Sequence, residues 1–236
     1  MSRLTCYRCF RPQKHCWCDS LQAMSTRTRF IFLMHPKEFQ REKANTGRLT
    51  HLCLANSEIL VGKEFDDHVA VQRCIADDHY YSVLLYPGTD AHNLSSDAPL
   101  AKTLTVKPLQ VFILDSTWSG ARKMLRLSPS LQRLSRIMFT PTAPSRYLIK
   151  QQPQAGCLST LEAAHELLLV LQKTGLDNYP LPTQLLEVFD RMQKFQIECA
   201  ANPDLRGYRH QSYSDPSLRK ATTGRSKARR RYIKLP

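Results

Sequence analysis

Four short runs of uninterrupted apolar character constrain the fold of this chain most. They are TRFIFLM at 28–34, YYSVLLY at 80–86, QVFILD at 110–115 and RIMF at 136–139. A strand with one wet face alternates apolar and polar residues; a run without alternation is a strand covered on both faces. Each run stops abruptly, at His35-Pro36, at Pro87-Gly88, at Asp115-Ser116 and at the PTAP of 141–144. Helical spacing fills the intervals. Residues 45–56 carry Leu49, Leu52, Cys53 and Leu54 on one face, and 119–126 reads as a short helix. Leucine stripes mark 159–173 and 181–201 as long amphipathic helices that face a core. Buried strands alternating with helices predict an α/β fold, a mostly parallel sheet with helices on both faces. No internal repeat is present.

Ligands of such sheets bind beyond the carboxyl ends of the strands. All four ends here carry reactive or polar residues: MHPKE at 34–38, YPG at 86–88, LDSTW at 114–118 and PTAPSRY at 141–147. Neither a G-x-G-x-x-G turn nor a P-loop occurs, so dinucleotide and nucleoside-triphosphate chemistry lack their usual phosphate cradle. Asp115 admits two readings. An Asp among apolar neighbours at a strand end is placed to move a proton; it is equally a suitable N-cap for the helix that follows. Trp118 offers a face for stacking a base.

The longest apolar runs, FIFLM at 30–34 and LLLVL at 167–171, fall well short of the ~20 residues of a membrane helix. The N-terminus has no signal-like stretch, so a cytoplasmic chain is expected. Lys and Arg number 34 against 20 Asp and Glu, a net +14 that points to a polyanionic partner such as nucleic acid. Eight of those charges fall in residues 216–236 with no acidic residue among them, which leaves +6 for the rest. Such a tail buries nothing and reads as a phosphate-gripping arm. Four of the eight cysteines, Cys6, Cys9, Cys16 and Cys18, form C-x2-C-x6-C-x-C within thirteen residues. In a reducing compartment that spacing predicts a structural Zn²⁺ held by four thiolates, with His15 as an alternative fourth ligand. Cys53, Cys74, Cys157 and Cys199 are scattered and read as small buried hydrophobes. Three segments follow: a zinc-binding module over 1–24, an α/β catalytic domain over 25–215 and a basic tail over 216–236.

Taken in order, D-S-T-W at 115–118, HPKE at 35–38, NTGRL at 45–49, LYPG at 85–88, SRYLIKQQP at 145–153, LSTLEA at 158–163 and NPDLRG at 202–207 resemble the DTW-domain family. That resemblance, which covers nearly the whole chain, implies a SPOUT-like α/β fold with a knotted C-terminal wrapping. It also implies an enzyme that uses S-adenosylmethionine to place a 3-amino-3-carboxypropyl group on N3 of a tRNA uridine, leaving 5′-methylthioadenosine. Under it Asp115, Thr117 and Trp118 are catalytic. Leu85, Pro87, Gly88, Leu114, Ser116, Ser145, Arg146, Tyr147, Leu158, Ser159, Thr160 and Glu162 surround the cofactor. His35, Lys37, Glu38, Asn45, Thr46, Arg48 and Lys150 meet the substrate. The partner is tRNA; neither a membrane nor an obligate protein partner is implied.

The residues themselves say why. Uridine N3 is a poor nucleophile until it loses its imide proton, so a base is required, and Asp115 is the candidate. Lys37, Arg48, Arg146 and Lys150 suit phosphates or the methionine carboxylate. Glu162, three residues after Ser159, either completes a capping box or touches ligand. Two other functions fit part of the pattern: a SPOUT-type RNA methyltransferase, and a zinc-knuckle RNA-binding protein without catalysis.

Overall fold

The computed structural model describes residues 4–41, 45–96, 107–149 and 156–201. Lys150, the 202–207 motif and the basic tail lie outside the described residues. After two 3-10 turns at Gln13–His15 and Cys18–Ser20 come β1 (Arg29–Met34), α1 (Pro36–Arg41), α2 (Thr46–Cys53), β2 (Ser57–Val61) and α3 (Val69–Ile75). The chain continues through β3 (Tyr81–Leu85), β4 (His92–Asn93), β5 (Leu109–Asp115), α4 (Trp118–Arg126) and α5 (Pro129–Gln132). It then forms β6 (Ser135–Met138), α6 (Thr160–Lys173) and α7 (Gln184–Ala201). The six strands make one sheet in the order β2-β1-β5-β3-β6-β4, parallel at every pairing.

That order fixes where a ligand can sit. From β1 the chain moves outward to β2, whereas from β5, its neighbour, it crosses the other way to β6. Adjacent strands whose connections leave in opposite directions open a crevice at their carboxyl ends. Here the ends are Met34 and Asp115, which are register partners, and the His35 N–H donates to the Asp115 carbonyl at 3.0 Å.

Period two sorts the central strands onto two faces. Phe30 and Phe32 of β1 and Val111 and Ile113 of β5 join the helices α2, α6 and α7 in the larger apolar cluster. Ile31, Leu33, Phe112 and Leu114 turn to the opposite face, against α3, α4 and α5. Asp115 shares the parity of Val111 and Ile113, which aims its side chain at the α2 and α6 side. The four apolar runs are strands, and helices cover both faces, as expected. Cys53, Cys74, Cys157 and Cys199 are all buried. Two strands gave no such signal: β2 keeps four of its five residues half-exposed, and β4 is two residues long.

The N-terminal segment shares the larger cluster through Trp17 and Met24. Met24 bridges to Leu54 beyond α2, and the Arg191 guanidinium on α7 donates to Ser20 Oγ at 2.6 Å. The buried Arg11 guanidinium lies 3.5 Å from the centre of the Trp17 ring. On the same side, residues 142–148 lie across α6 and α7. Glu166 accepts from Thr142, and Gln193 accepts from Leu148 N and donates to the Arg146 carbonyl.

Candidate active site and metal centre

Asp115 ends β5 and is only 5% exposed. A carboxylate so placed must be hydrogen-bonded. Oδ2 accepts from Asn45 Nδ2 at 2.9 Å, and Oδ1 accepts from Thr160 Oγ1 at 2.7 Å. Asn45 does two jobs with one amide: its Oδ1 accepts from Arg48 N at 2.7 Å and so caps α2, while its Nδ2 holds the carboxylate. Gly47 makes this approach possible, since a Cβ there would stand 2.5 Å from Asp115 Oδ2. The N-termini of α2 and α6 therefore converge on one carboxylate. The N-terminus of α4 lies beside it in sequence, and its cap is Thr117, whose Oγ1 accepts from Gly120 N at 3.2 Å. The cap of α4 is therefore Thr117 and not Asp115. Trp118 is the first residue of α4 and is half-buried.

The rim of the crevice is cationic. His35 Nδ1 accepts from Lys37 N at 3.1 Å. Burial first, then the charges of Lys37, Lys63 and Lys123, pull His35 below its ordinary value. Arg48 is 4% exposed and lies over two rings, 4.4 Å from Phe10 and 4.9 Å from Phe39. Its Nη2 donates to the Phe39 carbonyl at 2.7 Å, while its buried Nε has no hydrogen-bond partner among the described residues. Burial pulls the guanidinium down and the charge of Asp115 acts the other way.

A second polar cluster surrounds the start of α6. Ser159 and Glu162 form a complete capping box, Ser159 Oγ accepting from Glu162 N and Glu162 accepting from Ser159 N at 2.8 Å. The same carboxylate, 3% exposed, accepts from Ser145 Oγ and from Arg146 N at 2.6 Å. Its acceptors go to the fold, and it ties residues 145–146 beside Thr160. The Arg146 guanidinium pairs with Asp190 of α7 at 2.7 Å, and the Tyr147 ring meets Phe189 edge-on. Leu85 ends β3, next to β5 in the sheet, Pro87 and Gly88 follow it, and all three are half-buried; so are Ser116 and Leu158. Leu114 points to the opposite face. Thr46 is buried, Glu38 half-buried and Lys37 exposed. Gly47, Phe10 and Phe39 complete the neighbourhood without having been singled out in the sequence. Only Gly47 carried a signal, as the one residue of NTGRL with no side chain to assign.

The four N-terminal thiols converge. Their sulfurs all lie within 4.8 Å of one another, with Cys6–Cys18 at 3.8 Å and Cys9–Cys16 at 3.7 Å. Ligands ~2.3 Å from a tetrahedral Zn²⁺ stand about 3.8 Å apart, so the set fits such an ion, whereas a disulfide is about 2 Å long. Cys6 is drawn down to about 6, first by the backbone N–H of Cys9, while burial pushes Cys9 and Cys18 up. His15 is not among the clustered ligands; its ring packs 5.0 Å from Phe195. Phe10, just after Cys9, takes φ +57°, the left-handed conformation that turns the loop back.

A six-stranded parallel sheet covered on both faces by helices, with a buried carboxylate at its switch point and a four-thiol knuckle that could hold a metal ion, places the protein in the doubly covered α/β class. No solved structure matches the chain. It belongs to the DTW domain family, whose model matches residues 3–197. It is 33% identical over 209 residues to tRNA-uridine aminocarboxypropyltransferase 2 of Drosophila melanogaster, covering 84% of this chain and 77% of that one. The protein of the same name from Macaca fascicularis is 30% identical, with 84% of this chain and 65% of the relative covered. tRNA-uridine aminocarboxypropyltransferase A of Arabidopsis thaliana is 23% identical over 82% of this chain and 81% of its own.

Proposed function

We propose that this protein transfers the 3-amino-3-carboxypropyl group of S-adenosylmethionine to N3 of a tRNA uridine, forming acp3U. The observation that carries this reading is the Asp115 carboxylate, buried at the switch point of a DTW domain and oriented by donors from two helix N-termini. S-adenosylmethionine supplies an electrophilic carbon next to its sulfonium; the carbon–sulfur bond breaks with its electron pair on sulfur, which leaves as the thioether of 5′-methylthioadenosine. Asp115 takes the N3 proton as the nitrogen–carbon bond forms. Its oxygens accept from Asn45 Nδ2 and Thr160 Oγ1, and those two bonds fix the direction in which the carboxylate faces the base. Trp118 walls the site and stacks on base or adenine, while Thr117 keeps the DSTW loop in place by capping α4.

The donor set suits the cofactor. Arg48 offers a buried cation whose Nε has no partner among the described residues, suited to the methionine carboxylate. The half-buried turn at Leu85, Pro87 and Gly88, with Ser116, Leu158 and the backbone of Leu114 and of 145–147, would hold the adenosine. Ser145, Ser159 and Glu162 fix that backbone, and Thr160 fixes Asp115. His35, Lys37, Glu38, Asn45 and Thr46 would meet the nucleotide; the family resemblance gives the same role to Lys150, which lies outside the described residues. Zn²⁺ on Cys6, Cys9, Cys16 and Cys18 would be structural, because four protein ligands leave no position for water. The knotted SPOUT-like wrapping, the division into a 1–24 module, a 25–215 catalytic domain and a 216–236 arm, and a cytoplasmic site of action belong to the same reading. Among the described residues no helix is long and apolar enough to cross a membrane.

Asp115→Asn tests the role. The amide is isosteric, and it keeps both contacts by accepting from Asn45 and turning its NH₂ to Thr160 Oγ1. The fold and S-adenosylmethionine affinity should therefore change little, while single-turnover transfer falls by about 10²–10⁴, the contribution of a positioned base. Unimpaired transfer with normal binding would remove Asp115 from the chemistry. Binding and transfer lost together would make it a cofactor ligand.

A further inference from the structure

Between Asp115 and Glu162 the chain has no acidic residue, yet residues 116–161 hold seven Lys and Arg. This stretch forms α4, α5 and β6. Helix α4 buries Ala121, Met124 and Leu125 against the sheet and exposes Arg122, Lys123 and Arg126. Arg122 and Arg126 are four residues apart and Lys123 and Arg126 three, so the three charges share one face and repel one another. Among the described residues no carboxylate lies within ion-pair distance of any of them, although Arg29, Arg136 and Arg146 each have one.

The face is not remote from the crevice. Lys123 acts on His35 together with Lys37 and Lys63, which follow β1 and β2. Arg122 and Arg136 act on Tyr86, just after β3. The cations therefore gather at the carboxyl edge of the sheet, where Asp115 also lies. Helix α7, in the opposite layer, differs in mixing both signs, with Glu187, Asp190 and Glu198 beside Arg191 and Lys194.

We infer that the exposed face of α4, with Lys63 and Lys37 beside it, is the surface that grips the RNA phosphodiester backbone and leads the target nucleotide over the sheet edge to Asp115. Self-repulsion among these exposed cations is relieved by a polyanion, whose phosphates the fixed helix face can track. This deepens the transferase reading, on which it rests for the identity of the RNA.

The test is Arg122→Ala/Lys123→Ala/Arg126→Ala in the full chain. Alanine suits an exposed helix, so the variant should melt like the wild type. Binding to unmodified tRNA, measured without S-adenosylmethionine across a salt series, should weaken at least ~10-fold at low salt. The slope of log affinity against log salt should flatten by about 2, as expected for two or three lost phosphate contacts. S-adenosylmethionine affinity, and turnover at saturating tRNA, should stay within about twofold. Unchanged tRNA affinity and slope would overturn the inference; so would lost turnover with intact tRNA binding. A variant that loses binding to phosphatidylserine vesicles but not to tRNA would assign the face to membranes and overturn it as well. If wild-type protein makes no aminocarboxypropyl product while the variant loses tRNA binding, the activity fails and the surface stands. If product forms and the variant binds tRNA normally, the reverse holds.

Discussion

Gly47 leaves no room for a larger side chain on the side that faces Asp115. An added Cβ would stand 2.5 Å from Oδ2 and 2.7 Å from Cγ, and the carboxylate cannot retreat without breaking its bonds to Asn45 and Thr160. Elsewhere in a helix, Gly→Ala gains about 1 kcal/mol. Here overpacking costs about 1–3 kcal/mol. Gly47→Ala should therefore leave unfolding free energy unchanged or up to about 2 kcal/mol lower, with transfer at least ~10-fold slower. Denaturant titration and single-turnover assays check this; a more stable variant with full turnover would contradict it. The same residues show what a sequence can and cannot disclose. The motif NTGRL was legible as a unit and its place beyond β1 was right. That Asn45 caps α2 with one atom and holds Asp115 with the other was not legible, because that pairing spans 70 residues. Glu162 was open between capping box and ligand contact; the geometry gives the box, and its remaining acceptor capacity goes to Ser145 and Arg146.

At the scale of elements, the central strands were readable because burial on both faces leaves an unbroken apolar run. Strands β2 and β4 lie at the two edges of the sheet; β2 offers only the three apolar residues Ile59, Leu60 and Val61 after a polar pair, and β4 is two polar residues long. The knuckle was readable from cysteine spacing alone, but its seat was not. Phe10 leaves the turn after Cys9 with φ +57° and sets its ring edge-on to Phe39, 5.5 Å away, and under Arg48. The four-thiol knuckle is thereby joined to Arg48, beside Asp115, through one ring. Protein purified without chelator should carry one Zn²⁺ per chain by elemental analysis. Phe10→Gly should keep that zinc, since glycine accepts the left-handed turn more readily than phenylalanine. Its transfer should still drop several-fold, because Arg48 loses one of its two aromatic faces. Zinc-free wild-type protein, or a zinc-loaded Phe10→Gly variant with full activity, would contradict this.

For the whole molecule, charge and chemistry are divided by layer. The switch point between β1 and β5 holds the carboxylate, α2 and α6 orient it, and α4 on the other face carries cations with no acidic partner among the described residues. Composition alone announced the +14 and hence a polyanion. It did not say that cations gather at the sheet edge beside the crevice, because that depends on which helix covers which face. The central claim is that this arrangement serves aminocarboxypropyl transfer to a tRNA uridine. Purified protein, labelled S-adenosylmethionine and unmodified tRNA, followed by nucleoside digestion and mass analysis, tests it directly. The expected result is uridine bearing the 3-amino-3-carboxypropyl group at N3, with an equal amount of 5′-methylthioadenosine. A methylated nucleoside accompanied by S-adenosylhomocysteine, or tRNA bound but unmodified, would contradict it.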